Sequence, residues 1–387
     1  MIRTLEIHTS DYCSLYCNWC YNNTNYKFNF NSDVFRKAYS WFYNHNKSLN
    51  LDLKTRIFRC NFLGGEPLLF KEKIMNFVFW CKTNYPDFKV KFSIITNGIL
   101  INSKFLHWCK NNNVRIQLSI DGCEQAHDMH RVFKNGEGSF KKVVSNLELS
   151  QKIIPNQISI RSTISPQNCE YLMDSVKFLY STGLNLNFVP TINDDWEESQ
   201  IEVLSDNYSK ITKWWIKKLK SDNQWVNINH INSGLLSLNF HHNKYEGCNV
   251  CKTQIVSVHP NGNFYPCHRF SGNPKEKYVI GDIDDGINKK SSIYEFLSKR
   301  KKKIINKTCD KCEVAYCQMN CPYNYYDNGN ISDPLSIEFA CRYSKIIWRE
   351  IKKIDEEISK SDYAKKYKKR YGLVNYLKYK IKRWAYN

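Results

Sequence analysis

Short apolar runs alternate with longer amphipathic stretches from residue 1 to about residue 225. Six of the short runs have the character of β-strands, at Thr4–His8, Ile57–Leu63, Lys91–Ile95, Arg115–Ile120, Gln157–Ile164 and Asn185–Pro190. The stretches between them have helical periodicity, at Ser32–Asn44, Lys71–Thr83, Ser103–Asn111, Ser139–Ser150 and Asn168–Ser181. Strands that each lead into a helix pair in parallel, with the helices outside. The pattern predicts an α/β fold, either an incomplete (β/α) barrel or an open doubly wound sheet.

The second half of the chain has a different pattern. Another helix is predicted over Glu197–Ser221, packed down by Trp214 and Trp215. A Cys- and turn-rich segment follows from about 245 to 345 and contains the hairpin signal Pro-Asn-Gly-Asn at 260–263. The stretch 334–387 is predicted to be helical and basic, with a break near Gly372. We therefore expect a core at 1–230, a Cys-rich domain at 245–345 and a basic helical tail at 346–387.

Hydropathy indicates whether the protein crosses a membrane, and charge indicates which partners it could bind. No stretch approaches the roughly 18 apolar residues of a membrane span, and no signal peptide is recognisable, so we expect a cytoplasmic protein. The formal net charge is +20, and residues 360–387 hold ten Lys or Arg and one Asp. Such a run forms a solvated helix face or contacts an acidic peptide, nucleic acid or an anionic membrane.

The chain has 16 cysteines, which fall into three groups. Cytosolic thiols stay reduced, so clustered cysteines there indicate metal binding rather than disulfides. The first group, Cys13, Cys17 and Cys20, directly follows the first predicted strand. Three thiolates can bind three irons of a 4Fe–4S cluster and leave the fourth iron open. The alternative is a zinc site, which needs a fourth ligand such as His8.

Three further motifs lie at the ends of the next predicted strands. Gly-Gly-Glu-Pro at 64–67 offers close backbone approach and a carboxylate that accepts from an ammonium group. Thr-Asn-Gly at 96–98 and Ser-Ile-Asp-Gly at 119–122 offer hydroxyl and carboxylate groups suited to a ribose. Because sites in parallel α/β proteins form where strands end, these motifs are expected to meet the cysteine triplet.

With its CxxxCxxC, GGEP, TNG and SxDG elements, the chain resembles the radical S-adenosylmethionine (SAM) superfamily. The resemblance implies an incomplete (β/α)6 barrel, bound SAM and a 5′-deoxyadenosyl radical that removes a hydrogen atom from the substrate. By this resemblance, the triplet ligates the cluster, and Gly64, Gly65 and Glu66 bind the methionine amine of SAM. The other residues implied to lie around SAM are Trp19 and Tyr21 near the adenine, Thr96, Asn97, Ser119 and Asp121 toward the ribose, and Arg131 and Arg161 at the carboxylate. Structural ion pairs are an equal alternative for the two arginines.

Eight cysteines form the C-terminal group: Cys248, Cys251, Cys267, Cys309, Cys312, Cys317, Cys321 and Cys341. Eight ligands suffice for two complete sites, and two zinc ribbons are one possibility. The pattern is similar to the SPASM extension of peptide-modifying radical enzymes. That resemblance implies one auxiliary 4Fe–4S cluster on Cys248, Cys251, Cys267 and Cys321, and a second on Cys309, Cys312, Cys317 and Cys341, three clusters in all. That family usually has five residues where this chain has four between Cys312 and Cys317, so one cluster remains an alternative to two.

The remaining five cysteines lack ligand spacing and are predicted to be buried free thiols: Cys60, Cys81, Cys109, Cys123 and Cys169.

SPASM proteins modify ribosomal peptides or proteins, by crosslinks or by formylglycine formation in sulfatases. The resembling sulfatase-maturing branch typically has Gln before GGEP and Asp after the hairpin cysteine, where this chain has Leu63 and His268. His268 is a candidate base near neutral pH, or a residue that packs beside a cluster. We therefore expect a maturase that forms a thioether or carbon–carbon (cyclophane-type) crosslink in a precursor peptide, with sulfatase maturation as the alternative.

The expected partners follow from that function. They are the precursor peptide, a flavodoxin- or ferredoxin-type electron donor, and a separate leader-recognition protein, since the chain begins directly at the first barrel strand. The basic tail is hypothesised to bind an acidic leader. RNA modification is an alternative motivated by the net charge, although nucleic acid is not the favoured partner; a zinc-binding interaction protein without catalysis is another.

Overall fold

The computed structural model describes residues 1–22, 27–192, 194–222, 224–240, 250, 253–299, 312–314, 317, 321–324, 326–327, 330–331 and 334–360. Its strands are β1 (Thr4–His8), β2 (Leu15–Cys17), β3 (Phe58–Leu63), β4 (Val90–Thr96), β5 (Arg115–Ser119), β6 (Arg131–Phe133), β7 (Ile158–Ile164), β8 (Phe188–Pro190), β9 (Ile255–Val258), β10 (Asn263–Tyr265), β11 (Gly281–Asp282), β12 (Gly286–Ile287), β13 (Tyr326–Asp327) and β14 (Asn330–Ile331). Its α-helices are α1 (Ser32–Lys47), α2 (Lys71–Asn84), α3 (Ser103–Asn112), α4 (Glu124–Asp128), α5 (Phe140–Ile153), α6 (Leu172–Ser181), α7 (Glu198–Ser221), α8 (Asn229–Phe240), α9 (His268–Ser271), α10 (Ser292–Lys299) and α11 (Pro334–Lys360).

Six parallel strands form the centre of the main sheet, in the order β1-β3-β4-β5-β7-β8. They are the six strands predicted from the apolar runs, and the long helices α1, α2, α3, α5 and α6 follow them as expected. The predicted mixed α/β class is therefore confirmed. Among the predicted elements the differences lie at the ends: the helix predicted from Asn168 begins as a 3-10 turn at Cys169–Tyr171. The short elements β2, α4 and β6 were not predicted.

The sheet continues past β1 into the Cys-rich region. Strand β9 pairs in parallel with β1, with Thr4 opposite Ile255, and β10, β11 and β12 follow as antiparallel neighbours. The segments predicted as core and Cys-rich domain thus share one ten-stranded sheet. The boundaries at 230, 245 and 345 stay a prediction.

The two faces of the sheet have different chemistry. On β5, Ile116 and Leu118 are fully buried, while Gln117 between them lies on the opposite, inner face. In parallel strands, paired residues share a face. The inner face therefore also carries Asn61 and Ser93, which are paired in register and joined by a side-chain hydrogen bond. A polar inner face is what an enclosed site requires.

Helix α11 packs along α7 and α8. Gly234 on α8 makes this possible, because a Cβ there would lie 2.2 Å from Cδ1 of Ile351. The hydroxyls of Tyr208 and Tyr343 meet at 2.7 Å in the same interface, and Trp215 is buried on α7 as predicted. Of the predicted tail, the structure describes the helix to Lys360; the stretch 361–387 and its break lie outside the described residues. Among the helices described, none combines the length and apolar character of a membrane span.

Candidate active site

The loop after β1 carries the cysteine triplet. Cys13 and Cys17 are half-buried and Cys20 is exposed. Strand β2 within this loop pairs with β6, which places Cys17 opposite Arg131. We call residues 11–22 the cluster loop. Its beginning is tied to the chain that follows it, because Phe28 donates its backbone N–H to the Asp11 carboxylate at 2.9 Å.

The three thiols are neutral in the absence of a positive metal. Burial raises the pKa of Cys13 to about 12, with a further rise from the nearby Glu66, and burial raises the pKa of Cys17 to about 11. The thiolate is the metal-binding form, and coordination to iron deprotonates a thiol outright. Three such thiols on one loop fit an iron–sulfur cluster.

The glycines at the end of β3 hold the cluster loop in place. Gly65 donates its N–H to the Ser10 carbonyl, and Glu66 donates to the Tyr12 carbonyl, both at 2.7 Å. A Cβ on Gly65 would lie 2.0 Å from the Tyr12 oxygen, and one on Gly64 would lie 2.7 Å from the Ser10 oxygen. Glycine is therefore needed at both positions because the backbone of the cluster loop and of Ser10 lies so close.

Glu66 joins two strand ends through its carboxylate. It is buried and accepts from the Thr96 hydroxyl at 2.6 Å and from the N–H groups of Asn97 and Leu68 at 2.8 and 2.9 Å. Burial raises the pKa of Glu66 to about 6, which these hydrogen bonds oppose. Asn97 then reaches the cluster loop, with its amide 3.6 Å from Sγ of Cys13. The structure therefore brings the predicted triplet, GGEP and TNG residues together.

Asp121 and Arg131 form a buried bidentate pair beside the cluster loop. Nε and Nη2 of Arg131 donate to the two carboxylate oxygens at 2.7 and 3.0 Å, and the Thr163 N–H donates to one of them at 2.8 Å. Burial raises the pKa of Asp121, and Arg131 opposes that rise. The guanidinium lies 5.2 Å from the Trp19 ring. Both oxygens of Asp121 are thus engaged within the protein, and the ion pair that the sequence offered as an alternative for Arg131 is present.

Ser119 and Arg161 are paired in register on β5 and β7. Ser119 is half-buried and the Arg161 side chain is exposed, although it lies on a strand inside the sheet. Although part of Arg161 is open to solvent, the protein atoms around its guanidinium desolvate the charge and lower the pKa of Arg161, whereas Tyr21 raises it. These residues therefore line the same inner face that the cluster loop covers.

The start of α9 faces the cluster loop from the Cys-rich region. Cys267 is buried, and the Tyr21 and His268 rings lie 5.6 Å apart. Glu6 on β1 accepts the backbone N–H of His268 at 2.6 Å, and its carboxylate lies 3.1 Å from Nδ1. The sequence analysis missed Glu6, because a single acidic residue in an apolar strand forms no motif. The one sign of a role was its position on the inner face of β1, paired in register with Asn61.

The other cysteines divide as follows. Cys312, Cys317, Cys321 and Cys341 are half-buried, whereas Cys248, Cys251 and Cys309 lie outside the described residues, so the two auxiliary ligand sets stay predictions. Four of the five scattered cysteines are buried as predicted, namely Cys60, Cys81, Cys109 and Cys169. Cys123 is only half-buried, beside the Ser175 hydroxyl.

A buried brace of His8, Asp11 and His259 was not predicted. Nε2 of each histidine lies near Oδ1 of Asp11, at 3.1 and 3.4 Å. The three have the composition of a metal site. However, Nδ1 of His259 accepts the Asn261 N–H at 3.4 Å, so Nε2 carries the proton and donates to Asp11. The brace therefore ties the cluster loop to the β9–β10 hairpin by hydrogen bonds.

Comparisons with known proteins agree with this geometry. Residues 7–179 match the model of the Radical SAM superfamily. The chain is 28% identical to the cysteine-type anaerobic sulfatase-maturating enzyme of Clostridium novyi, over 58% of this chain and 61% of that enzyme, and thus spans less than two thirds of its length. It is 24% identical to the radical SAM cyclopropyl synthase TigE of Paramaledivibacter caminithermalis, over 83% of this chain and 68% of that enzyme.

Similarity to a solved structure extends over most of the chain. Native anSMEcpe with bound AdoMet and Cp18Cys peptide superposes with a TM-score of 0.73 at 20% identity, covering 91% of this chain and 99% of that one. At this identity the likeness concerns the fold.

Proposed function

Because the chain contains a radical SAM domain, we propose that it is a maturase that abstracts a hydrogen atom from a ribosomally synthesised precursor peptide and closes a thioether or carbon–carbon (cyclophane-type) crosslink. The relatives include sulfatase-maturating enzymes, whose name states a protein substrate, and this supports a peptide or protein as the substrate here.

One observation carries the proposal. The cluster loop and the Cys-rich region meet over one inner face, where Tyr21 of the loop lies 5.6 Å from His268, the neighbour of Cys267. A substrate held there would contact both cysteine groups. The brace and the shared β1–β9 ladder hold the two regions in this arrangement.

The residues of the first site divide into ligands and supports. Cys13, Cys17 and Cys20 would hold the cluster whose bound SAM supplies a 5′-deoxyadenosyl radical when reduced. Arg131 is the proposed anchor for the cofactor carboxylate, and Asp121 acts through it by orienting the guanidinium.

Glu66 has a second proposed role besides joining strand ends. Burial raises the pKa of Glu66 and so disfavours its ionised form, whereas a neighbouring ammonium group would stabilise that ionised form. This supports the methionine amine as the group that it accepts from, with the cofactor's other contacts at Trp19, Tyr21, Gly64, Gly65, Thr96, Asn97 and Ser119.

His268 is the proposed proton acceptor for substrate deprotonation. The Glu6 carboxylate next to Nδ1 favours a proton on that nitrogen, which leaves Nε2 as the acceptor. The alternative is that Glu6 and His268 only hold α9 beside the cysteines. Replacing His268 by Gln separates the two: a base is needed for product but not for SAM cleavage, so product alone falls, by about 100-fold or more.

Further cofactors and partners complete the proposal. Two auxiliary 4Fe–4S clusters on the C-terminal cysteines, a flavodoxin- or ferredoxin-type donor and a separate leader-recognition protein are proposed, in the cytoplasm. Two solved structures of similar fold contain bound peptides, which supports a peptide ligand.

The test is anaerobic reconstitution with iron and sulfide counts, then mass spectrometry of the product of a neighbouring small open reading frame. A loss of two hydrogens supports a crosslink. An unmodified peptide, together with zinc instead of iron, would refute the proposal.

Sulfatase maturation is the second candidate, favoured by the 28% identity to the Clostridium novyi enzyme. Formylglycine formation from a cysteine also removes sulfur, so the product mass separates the two reactions. Salt-sensitive tRNA binding with methyl transfer would favour RNA modification instead.

A further inference from the structure

Arg269, the second residue of α9, contacts Cys321 through its guanidinium. Its Nη1 donates to Sγ of Cys321 at 3.4 Å, and its guanidinium carbon lies 4.6 Å from the Tyr323 ring. Phe270, the next residue, is fully buried and packs edge-on against the same tyrosine at 5.1 Å. The Tyr323 ring, which Phe270 packs against, thus lies beside the guanidinium that donates to the sulfur.

Arg269 contacts Sγ of Cys321 and lies two positions after Cys267 in the chain. An arginine guanidinium keeps its positive charge in proteins. The guanidinium therefore stays charged beside these two cysteines.

Arg161 adds a second positive charge from the inner face of β7. Burial of the guanidinium lowers the pKa of Arg161, and the charge of the nearby Arg269 lowers it further. Within the described part of the chain, Arg161 forms no ion pair with a carboxylate. Arg161 thus adds positive charge on the side of the inner face that Arg269 also occupies.

We propose that Arg269, assisted by Arg161, raises the reduction potential of the iron–sulfur cluster held by Cys267 and Cys321. The inference rests on the auxiliary cluster of the proposed function. One-electron reduction adds a negative charge to a thiolate-ligated site, and no bond is made or broken. Hydrogen bonds to cluster sulfurs and nearby positive charge stabilise that reduced form.

The raised potential suits an electron acceptor in crosslink formation. Closing the crosslink removes two hydrogens from the peptide. The first leaves as a hydrogen atom to the 5′-deoxyadenosyl radical; the second leaves as a proton to a base and one electron to the cluster. A positively charged Arg269 beside Cys321 would favour acceptance of that electron by this cluster.

The test is a redox titration followed by electron paramagnetic resonance on the full chain. A Cys13→Ala/Cys17→Ala/Cys20→Ala background removes the signal of the first cluster. In Arg269→Gln, the reduced-to-oxidised ratio at a given potential should fall about tenfold, equivalent to about 59 mV for one electron. Arg269→Lys keeps the positive charge and should lower the reduction potential by less than Arg269→Gln does. Arg161→Gln should lower the potential by a smaller amount.

Arg36 provides the matched control, because its guanidinium also lies over an aromatic ring, 5.5 Å from that of Trp80, away from the C-terminal cysteines. Arg36→Gln should leave the potential unchanged. If Arg269→Gln keeps its iron and its potential, the inference is wrong and the proposed function stands. If the background protein has no reducible cluster, both the inference and the proposed auxiliary cluster fail. If Arg269→Gln loses iron, Arg161→Gln decides, and an unchanged potential there overturns the inference.

Discussion

The two cysteine regions are built in different ways. Around the cluster loop, backbone hydrogen bonds from Gly65 and Glu66 and the Asp11–Phe28 contact define the geometry without any metal. In the described part of 312–331, the regular structure is a 3-10 turn at Pro322–Asn324 and two strands of two residues each. Small Cys-rich units gain much of their folding free energy from metal binding. The first site is therefore preorganised, whereas we propose that the second folds only with the auxiliary clusters proposed for it.

The largest expected contrast comes from removing one cysteine in each region. Cys17→Ala should abolish SAM cleavage without lowering the melting temperature, because the β2–β6 ladder uses only its backbone. Cys321→Ala should retain cleavage of SAM but lose iron and melt earlier. Measured 5′-deoxyadenosine, iron content and thermal unfolding decide. Substantial cleavage by Cys17→Ala, or an unchanged melting temperature of Cys321→Ala, would contradict the comparison.

Asp121→Asn tests the preorganised region through its buried ion pair. Breaking the pair leaves the Arg131 charge buried and unpaired, which costs about 3–5 kcal/mol in the free energy of unfolding. Asp284→Asn is the control, since its pair with Lys37 is exposed and contributes under about 1 kcal/mol. Urea denaturation measures both, and equal losses in the two variants would show that the buried pair has no special role.

Gly65→Ala tests whether glycine is needed for the backbone contact with the cluster loop. The added methyl group meets the Tyr12 carbonyl, so we expect a loss of about 1–3 kcal/mol and weaker SAM binding. At Gly136 an added Cβ would have nothing within 4 Å, although φ there is +87°, so Gly136→Ala should cost stability through backbone strain and leave SAM binding intact. Calorimetry of SAM binding separates these outcomes; undiminished binding by Gly65→Ala would refute the expectation.

The smallest expected effect comes from the basic segment beyond Lys360. Deleting 361–387 should weaken precursor binding at low salt, with little change at high salt, because salt screens the attraction between the basic segment and an acidic leader. SAM cleavage without peptide should be unaffected. Equal affinity of the two proteins at low salt would remove the tail from leader recognition.

Much of the fold was predictable, because periodicity reports local structure. The first strand was predicted at the bounds Thr4–His8 that it has. The strand predicted from Asn185 starts instead at Phe188, since Leu186 bridges to Ile228 and the ladder with β7 begins only at the Ser162–Phe188 pair. That difference depends on a partner more than forty residues away, which no local pattern encodes.

The sequence by itself determined that the triplet and the strand-end motifs would meet, because parallel strands bring their carboxyl ends to one edge. Only the tertiary structure decided what those residues do to one another. It showed that Gly65 packs on Tyr12, that Asp121 is occupied by Arg131, and that Glu6 reaches His268 across 262 positions of chain. Contacts at such separations depend on how the whole sheet is assembled, so spacing in the sequence carries no record of them.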